Sequence, residues 1–195
     1  LYQWGRKDPF LGASSISADA LAVSTGNWTT NLSQQTVEGT CQNPTIFIYT
    51  SDAQDWCIGD GYGDSNYDLR WKDTEKTAYD PCPIGYRVPK GGFWATANTT
   101  TLWDSTNYGL SWTIADGTTA WYPAVGYLNY DGSLRYVGSN SCCWSASPRP
   151  GYTDQAYSLV FWAVDSVYPT NHPQRMLGVS VRCVREGSDS GSPPP

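Results

Sequence analysis

Alternating apolar and polar positions pick out four extended segments. Residues 45–50 (TIFIYT) form a short apolar, β-branched run. Residues 128–136 (LNYDGSLRY) read as two short arms around Asp131-Gly132, a dipeptide suited to the positive φ angles of a type I′ hairpin. Residues 156–164 (AYSLVFWAV) place Tyr157, Leu159, Phe161 and Ala163 on one face, expected in the core. Ser158, Val160 and Trp162 are then expected to face outward, where they could vary without unfolding the chain. Residues 179–184 (VSVRCV) put Val179, Val181 and Cys183 on one face. Helical signals are short: residues 17–23, residues 36–42 with Thr36 as cap before Val37 and Glu38, and a weaker one at 99–107. No internal repeat is visible.

Composition changes what such a core can be made of. Leu, Ile, Val and Phe make up about 16% of the 195 residues, a fraction that marks disorder only when net charge is also high. Here the net charge is −6, and the chain holds 10 Trp and 14 Tyr. Each buried Trp or Tyr removes roughly 150–250 Å² from water. A core of rings is therefore expected, with Trp4, Trp121, Trp144, Tyr157 and Phe161 in it. The 19 Gly and 13 Pro are spread along the chain, and 15 Asp stand against 3 Glu, which favours turns over helices. The length suits a single domain over residues 1–186, with an insertion-like loop region at 17–75. Residues 187–195 (GSDSGSPPP) cannot bury apolar surface and read as a disordered tail.

The same counts exclude several functions. One histidine, His172, cannot build a His-rich metal site, and any triad chemistry would have to use that ring. It lies among prolines and polar residues, on a loop, as a ligand contact rather than a catalytic base. The 12 Lys and Arg form no basic cluster, which argues against nucleic-acid binding. No apolar run approaches the ~20 residues that span a bilayer, so the chain is not membrane-embedded. Residues 60–68 (DGYGDSNYD) crowd oxygen ligands but lack the late bidentate Glu of an EF-hand, and read first as a solvated Asx-turn loop. No cofactor and no metal are called for, and catalytic carboxylate pairs are not recognisable from sequence.

Six cysteines occur, none in a CxxC pair, which fits an oxidising compartment better than a zinc or thioredoxin-type site. Fifteen pairings are open. Cys82 with Cys183 is favoured, closing a loop whose chain entropy corresponds to roughly 4.7 kcal/mol. Cys41 with Cys57 is a plausible shorter bridge. The adjacent Cys142 and Cys143 are expected to stay free or half exposed.

Four segments carry a family resemblance: residues 2–10 (YQWGRKDPF), 79–89 (YDPCPIGYRVP), 144–148 (WSASP) and 180–186 (SVRCVRE), with residues 120–127 (AWYPAVGY) and the Asp131-Gly132 hairpin between them. Together they resemble the Fibrobacter succinogenes major paralogous domain, a family of secreted or surface-anchored bacterial proteins. The resemblance implies an α+β, C-type lectin-like fold of the formylglycine-generating-enzyme branch, with short twisted strands and long loops. It supports the Cys82–Cys183 tie and implies a front part of the domain, and a signal or lipoprotein segment, upstream of Leu1. It brings neither the cysteine pair of the oxidase branch nor the calcium-dependent sugar motif of animal lectins.

The C-terminal third further resembles the variable proteins of diversity-generating retroelements, in which template-directed adenine mutagenesis alters one segment of a fixed scaffold. The resemblance implies a non-enzymatic, surface-displayed binding protein whose recognition face spans residues 142–177. Its contacts would be Cys142, Cys143, Arg149, Tyr152, Thr153, Asp154, Trp162, Asp165, Tyr168, His172, Gln174 and Met176. Tyr and Trp suit such a face because they offer contact area at low entropic cost. A protein or glycan on another cell, a phage or a host surface is the expected partner, met by a monomer. A pilus or adhesin subunit and a glycan-active enzyme are the alternatives.

Overall fold

Two three-stranded antiparallel sheets face each other across a core of rings. The computed structural model describes residues 1–16, 29–31, 33–50, 55–58, 70–95, 100–113, 117–163 and 166–187. In chain order the elements are β1 (Thr29–Asn31), α1 (Val37–Gln42), β2 (Ile46–Ile48), β3 (Tyr86–Arg87), β4 (Thr100–Asp104), β5 (Gly109–Thr113) and β6 (Thr119–Pro123). There follow β7 (Tyr127–Leu128), β8 (Leu134–Arg135), β9 (Asn140–Pro148), β10 (Ala156–Trp162), β11 (Ser166–Asn171) and β12 (Val184–Arg185). The larger sheets are β4-β5-β6 and β9-β10-β11, and the pairs β1-β2, β3-β12 and β7-β8 complete the set. Short strands in small sheets with a single short helix among the described residues agree with an α+β class.

The first core lies between the two large sheets. Leu110, Trp112, Ala120 and Tyr122 from one face of β5 and β6 meet Cys143, Leu159 and Phe161 from β9 and β10. Trp103 of β4 reaches Phe161 with ring centroids 6.5 Å apart. The second core lies on the other side of β9 and β10. There Cys142, Trp144, Ala146 and Val160 pack on Trp4, Trp71, Val88 and Val179. The expected core of rings is present: Trp4, Trp56, Trp71, Trp144 and Phe161 are fully buried. Tyr157 is half-buried, and Trp121 lies on the outer face of β6, away from the core.

Two cores change the reading of β10. Leu159 and Phe161 point into the first, as expected, but Val160 and Ser158 are buried as well, Val160 in the second core. The outward face expected for Ser158 and Val160 does not exist, because the N-terminal segment and residues 71–88 cover it. β9 is buried on both faces too, so Cys142 and Cys143 lie in opposite cores and neither is exposed. Both remain free thiols. The register slips twice, between Ala156 and Ser158 against β9 and between Ser158 and Val160 against β11. Pro169 falls within the second slip, where a residue lacking an N–H costs no ladder bond.

Local expectations fared unevenly. Thr36 caps α1, its hydroxyl accepting from Gly39 N at 3.0 Å. The run at 45–50 yields β2. The arms around Asp131-Gly132 form β7 and β8, but not through a type I′ turn: Gly132 alone of the two has positive φ, +74°. Gly132 N donates to Asn129 O, and Asn129 N to Ser133 O, the pattern of a three-residue loop with glycine at the left-handed position. Asp131 instead accepts from Ser133 N at 2.8 Å. Residues 100–104 of the weak helical segment are strand β4, whose pairing with β5 outweighs local propensity. Residues 17–23, 60–68 and 188–195 lie outside the described residues.

Cys82 and Cys183 are bonded, 101 positions apart in sequence. Cys41 and Cys57 are not: Cys41 is exposed on α1, and Cys57 is buried against Ile48 and Trp56. Val179, Val181 and Cys183 do share one side, packing on the second core, although only Val184 and Arg185 pair as a strand there. The chain also closes on itself through Tyr2 N donating to Val179 O at 2.7 Å and Val179 N to Tyr2 O at 2.8 Å.

Candidate ligand-recognition surface

With both faces of β9 and most of β10 covered, the described residues of the segment 142–177 reach solvent at the loops, at Tyr157 and Trp162 towards the two ends of β10, and along the β11 edge. The β9–β10 loop begins with Arg149-Pro150-Gly151-Tyr152. Tyr152 N donates to Arg149 O at 3.2 Å, and Gly151 has φ +82°, the geometry of a type II turn with proline second and glycine third. The turn carries Tyr152 outward, 44% exposed, with the Arg149 guanidinium 3.8 Å over its ring. Thr153 is exposed beside it and Asp154 is half-buried. The Arg149 guanidinium also donates to Gln155 Oε1.

His172 sits at the same end of the sheet, half-buried, its ring 5.7 Å from that of Tyr157. Burial and then the nearby Arg149 charge hold it below the usual histidine range, so it is a neutral contact at pH 7. Gln174 joins by accepting from Tyr130 OH at 2.6 Å. Trp162 lies at the far end of β10, six residues or about 20 Å away. There it meets Tyr136 edge-on at 5.1 Å, and Tyr136 meets Tyr127 at 5.8 Å.

The β7–β8 hairpin spans the gap between these ends. Tyr127 and Tyr136 serve the Trp162 end, while Tyr130 serves the Gln174 end and packs on Tyr49 at 6.3 Å. Burial and then its neighbours, Asp154 first among them, raise the Tyr130 phenol above the usual range. Tyr136 is 41% exposed yet held at φ +59°, a conformation costly for an aromatic residue. Its carbonyl is pinned by Ser139 N at 3.1 Å and Asn140 N at 2.9 Å. Sequence reasoning used the hairpin only as a turn and missed its tyrosines. The signal was the three Tyr within residues 127–136 in a segment too short to bury them all.

The sequence-predicted contacts therefore fall into three groups. Arg149, Tyr152, Thr153, Asp154, His172 and Gln174 cluster at one end. Trp162 lies at the other, with Tyr168 between, 52% exposed on the edge strand. Cys142, Cys143 and Met176 are buried and touch no surface, a correction that follows from the two-core packing. Burial raises both thiols well above the usual cysteine range, so they are poor nucleophiles at neutral pH. Asp165 lies outside the described residues.

A buried anchor holds the loop end in place. Arg175 is fully buried, with its backbone N donating to Asp154 O at 2.7 Å and its Nε to Gln155 O at 3.0 Å. Its Nη1 reaches Asp55 at 3.3 Å, and Asp55 also takes two bonds of 2.9 Å from Arg70. Arg70 and Arg175 both lie against the Trp4 ring, at 4.9 and 4.5 Å. Three buried arginines, Arg6 included, could not be told from surface charges in the sequence, since charged residues are seldom fully buried unless paired.

Beside the loop, a cleft of about 430 Å³ lies between Trp71, Lys72, Asp73, Thr74, Pro148 and Pro150. Behind it, Ser147 donates to the lining residue Asp73 and accepts from Gly91 N. With both partners fixed, that hydroxyl ties three segments together. No family model, no curated protein and no solved structure matches this chain.

Proposed function

We propose that the chain is a non-enzymatic ligand-binding domain of C-type lectin-like fold, displayed outside the cell. Its recognition surface runs from Tyr152 and His172 through Gln174 and the hairpin tyrosines to Trp162, with Tyr168 on the adjoining edge. The observation that carries this reading is the gathering of exposed or half-exposed rings at both ends of the sheet: Tyr152 under Arg149 and His172 beside Tyr157 at one, Trp162, Tyr136 and Tyr127 at the other, with Tyr130 of the same hairpin bonded to Gln174. Rings of low conformational entropy with polar neighbours are the material of recognition surfaces. A disulfide that closes a loop of about half the chain suits display in an oxidising compartment. Among the described residues no helix is long and apolar enough to cross a membrane. The ligand is a protein or a glycan on another cell, a phage or a host surface.

Template-directed diversification would act on the loop 149–154 and the edge strand, where substitution spares both cores. At Cys142, Cys143 and Met176 it would instead repack the interior. The coding DNA is the place to look: a nearby template matching residues 120–186 except at adenines, beside a reverse transcriptase gene, is expected.

Binding tests the reading directly. A ligand selected from panels of cell-surface proteins and glycans is titrated against Tyr152→Ala and Tyr168→Ala. Each is expected to weaken binding by roughly tenfold or more, with the thermal unfolding midpoint unchanged. Full affinity in both variants would place the binding surface elsewhere.

A further inference from the structure

The β4–β6 sheet has an outer face that the cores do not use. Cross-strand register sets Leu102, Ser111 and Trp121 in one row across the three strands, opposite in facing to Leu110 and Tyr122 of the core. Leu102 is 69% exposed. In the adjoining row the hydroxyls of Thr113 and Thr119 lie 2.8 Å apart. Trp121 does not stand off this surface. A methyl group at Gly109 would come within 2.4 Å of its Cζ2 and 2.7 Å of its Cη2, so the six-membered half of the indole fills the space over the glycine. The ring lies along the sheet, backed by main chain. Among the described residues no other ring packs on it, whereas Trp162 and Tyr136 cover one another edge-on.

Charge and area narrow what this face can take. Asp104 on this face already accepts from Thr106 N at 2.7 Å, Asn107 N at 3.0 Å and Asn107 Nδ2 at 2.7 Å, and at the β6 edge Arg182 Nη1 donates to Trp121 O at 2.7 Å. One charge of each sign, both already hydrogen-bonded within the protein, leaves the face with no net charge to draw a charged ligand. Three strands of five residues span about 14 Å by 17 Å, or roughly 240 Å². That is well short of the ~800 Å² per partner of a specific protein interface. A flat apolar ring flanked by uncharged hydroxyls, on a patch of this size, matches a small neutral molecule with one C–H face and a hydroxyl rim.

We propose that the outer face of β4–β6 is a carbohydrate subsite that takes one or two neutral pyranose rings. The sugar's C–H face lies on the Trp121 indole and its hydroxyls exchange hydrogen bonds with Ser111, Thr113 and Thr119. The site is separate from the recognition surface, since the first core stands between this sheet and β9–β11.

Isothermal titration with three neutral probes tests it: hexamers of β-1,4-glucose, α-1,4-glucose and β-1,4-N-acetylglucosamine, with polygalacturonate as the anionic counter-probe. At least one neutral hexamer is expected to bind, and polygalacturonate is not. Trp121→Ala is expected to lower that affinity by roughly tenfold or more. Gly109→Ala keeps the indole but displaces it from the sheet, and is expected to weaken binding similarly; because the methyl also meets Tyr122 O at 2.7 Å, its fold is checked by the thermal unfolding midpoint. Trp121→Phe guards against misfolding in the alanine variant and is expected to bind with intermediate affinity. Ile84→Ala, on a remote exposed side chain, is expected to bind as the parent does. The proposal is overturned if no neutral hexamer binds, if the anionic polymer competes equally, or if Trp121→Ala and Gly109→Ala bind like the parent. Sedimentation showing a dimer that Trp121→Ala abolishes would also overturn it, making the face a contact between copies.

Discussion

The β4–β6 and β9–β11 sheets have the same number of strands and the same up-and-down connectivity, yet they meet water in opposite ways. β4–β6 buries one face and leaves the other open, so its register alone decides which side chains are available. β9 and β10 bury both faces, so strand alternation there only divides residues between two cores. What the second sheet can show to a partner is its rim: the 149–155 loop, the β11 edge, and whatever neighbouring elements bring up beside them. A sheet open on one side offers a platform, while a sheet enclosed on both sides offers edges.

The largest effect should come from the anchor beneath the rim. Asp55→Ala leaves Arg70 and Arg175 buried without their shared carboxylate, which should cost about 3–5 kcal/mol of stability in urea titration. Amide exchange should accelerate across residues 149–155 while the β4–β6 amides lose only the global share. Equal acceleration in both sheets would mean that the anchor supports the whole fold and not the rim.

A smaller effect should separate the faces themselves. Val160→Thr puts a hydroxyl into the second core at nearly constant volume and should cost about 1–3 kcal/mol. Leu102→Thr, on the open face of β4, should stay within about 0.5 kcal/mol. Similar costs for the two would break the comparison.

The smallest effect is a pH dependence. His172 has its pKa lowered in the fold by burial and then by Arg149, so the unfolded chain binds the proton more readily. Stability should therefore fall as pH drops from above the ordinary value of 6.5 through the lowered folded value, and rise again as pH is raised. His172→Gln should flatten that part of the slope between about pH 5 and 7. A slope unchanged by the substitution would assign it to the carboxylates.

Features decided within a few residues were legible in the sequence. Thr36 capped its helix, and Asp131-Gly132 marked the place of its hairpin though not the turn type, because both bonds are made locally. The Arg149-Pro150-Gly151-Tyr152 turn was equally local, and was there to be read from its Pro-Gly pair. Features decided by distant partners were not. Residues 100–104 became strand because β5 was available to pair with them. Val160 turned inward because Trp4, Trp71 and Val179 cover that side. The near-continuous apolar run of β10 was itself a sign of burial on both faces, and reading it as alternation hid that. Nothing in the sequence around Arg175 could announce a carboxylate 120 positions away.

The slip at Pro169 has a consequence for the protein in solution at high concentration. β11 is an edge strand, and an edge with a regular row of free N–H and C=O groups invites a strand from another molecule to join it. Pro169 removes one donor from that row, and the slip beside it breaks the even spacing that a docking strand would need. The chain can thus hold the exposed Tyr168 ring on an open edge without making that edge a seed for fibrils.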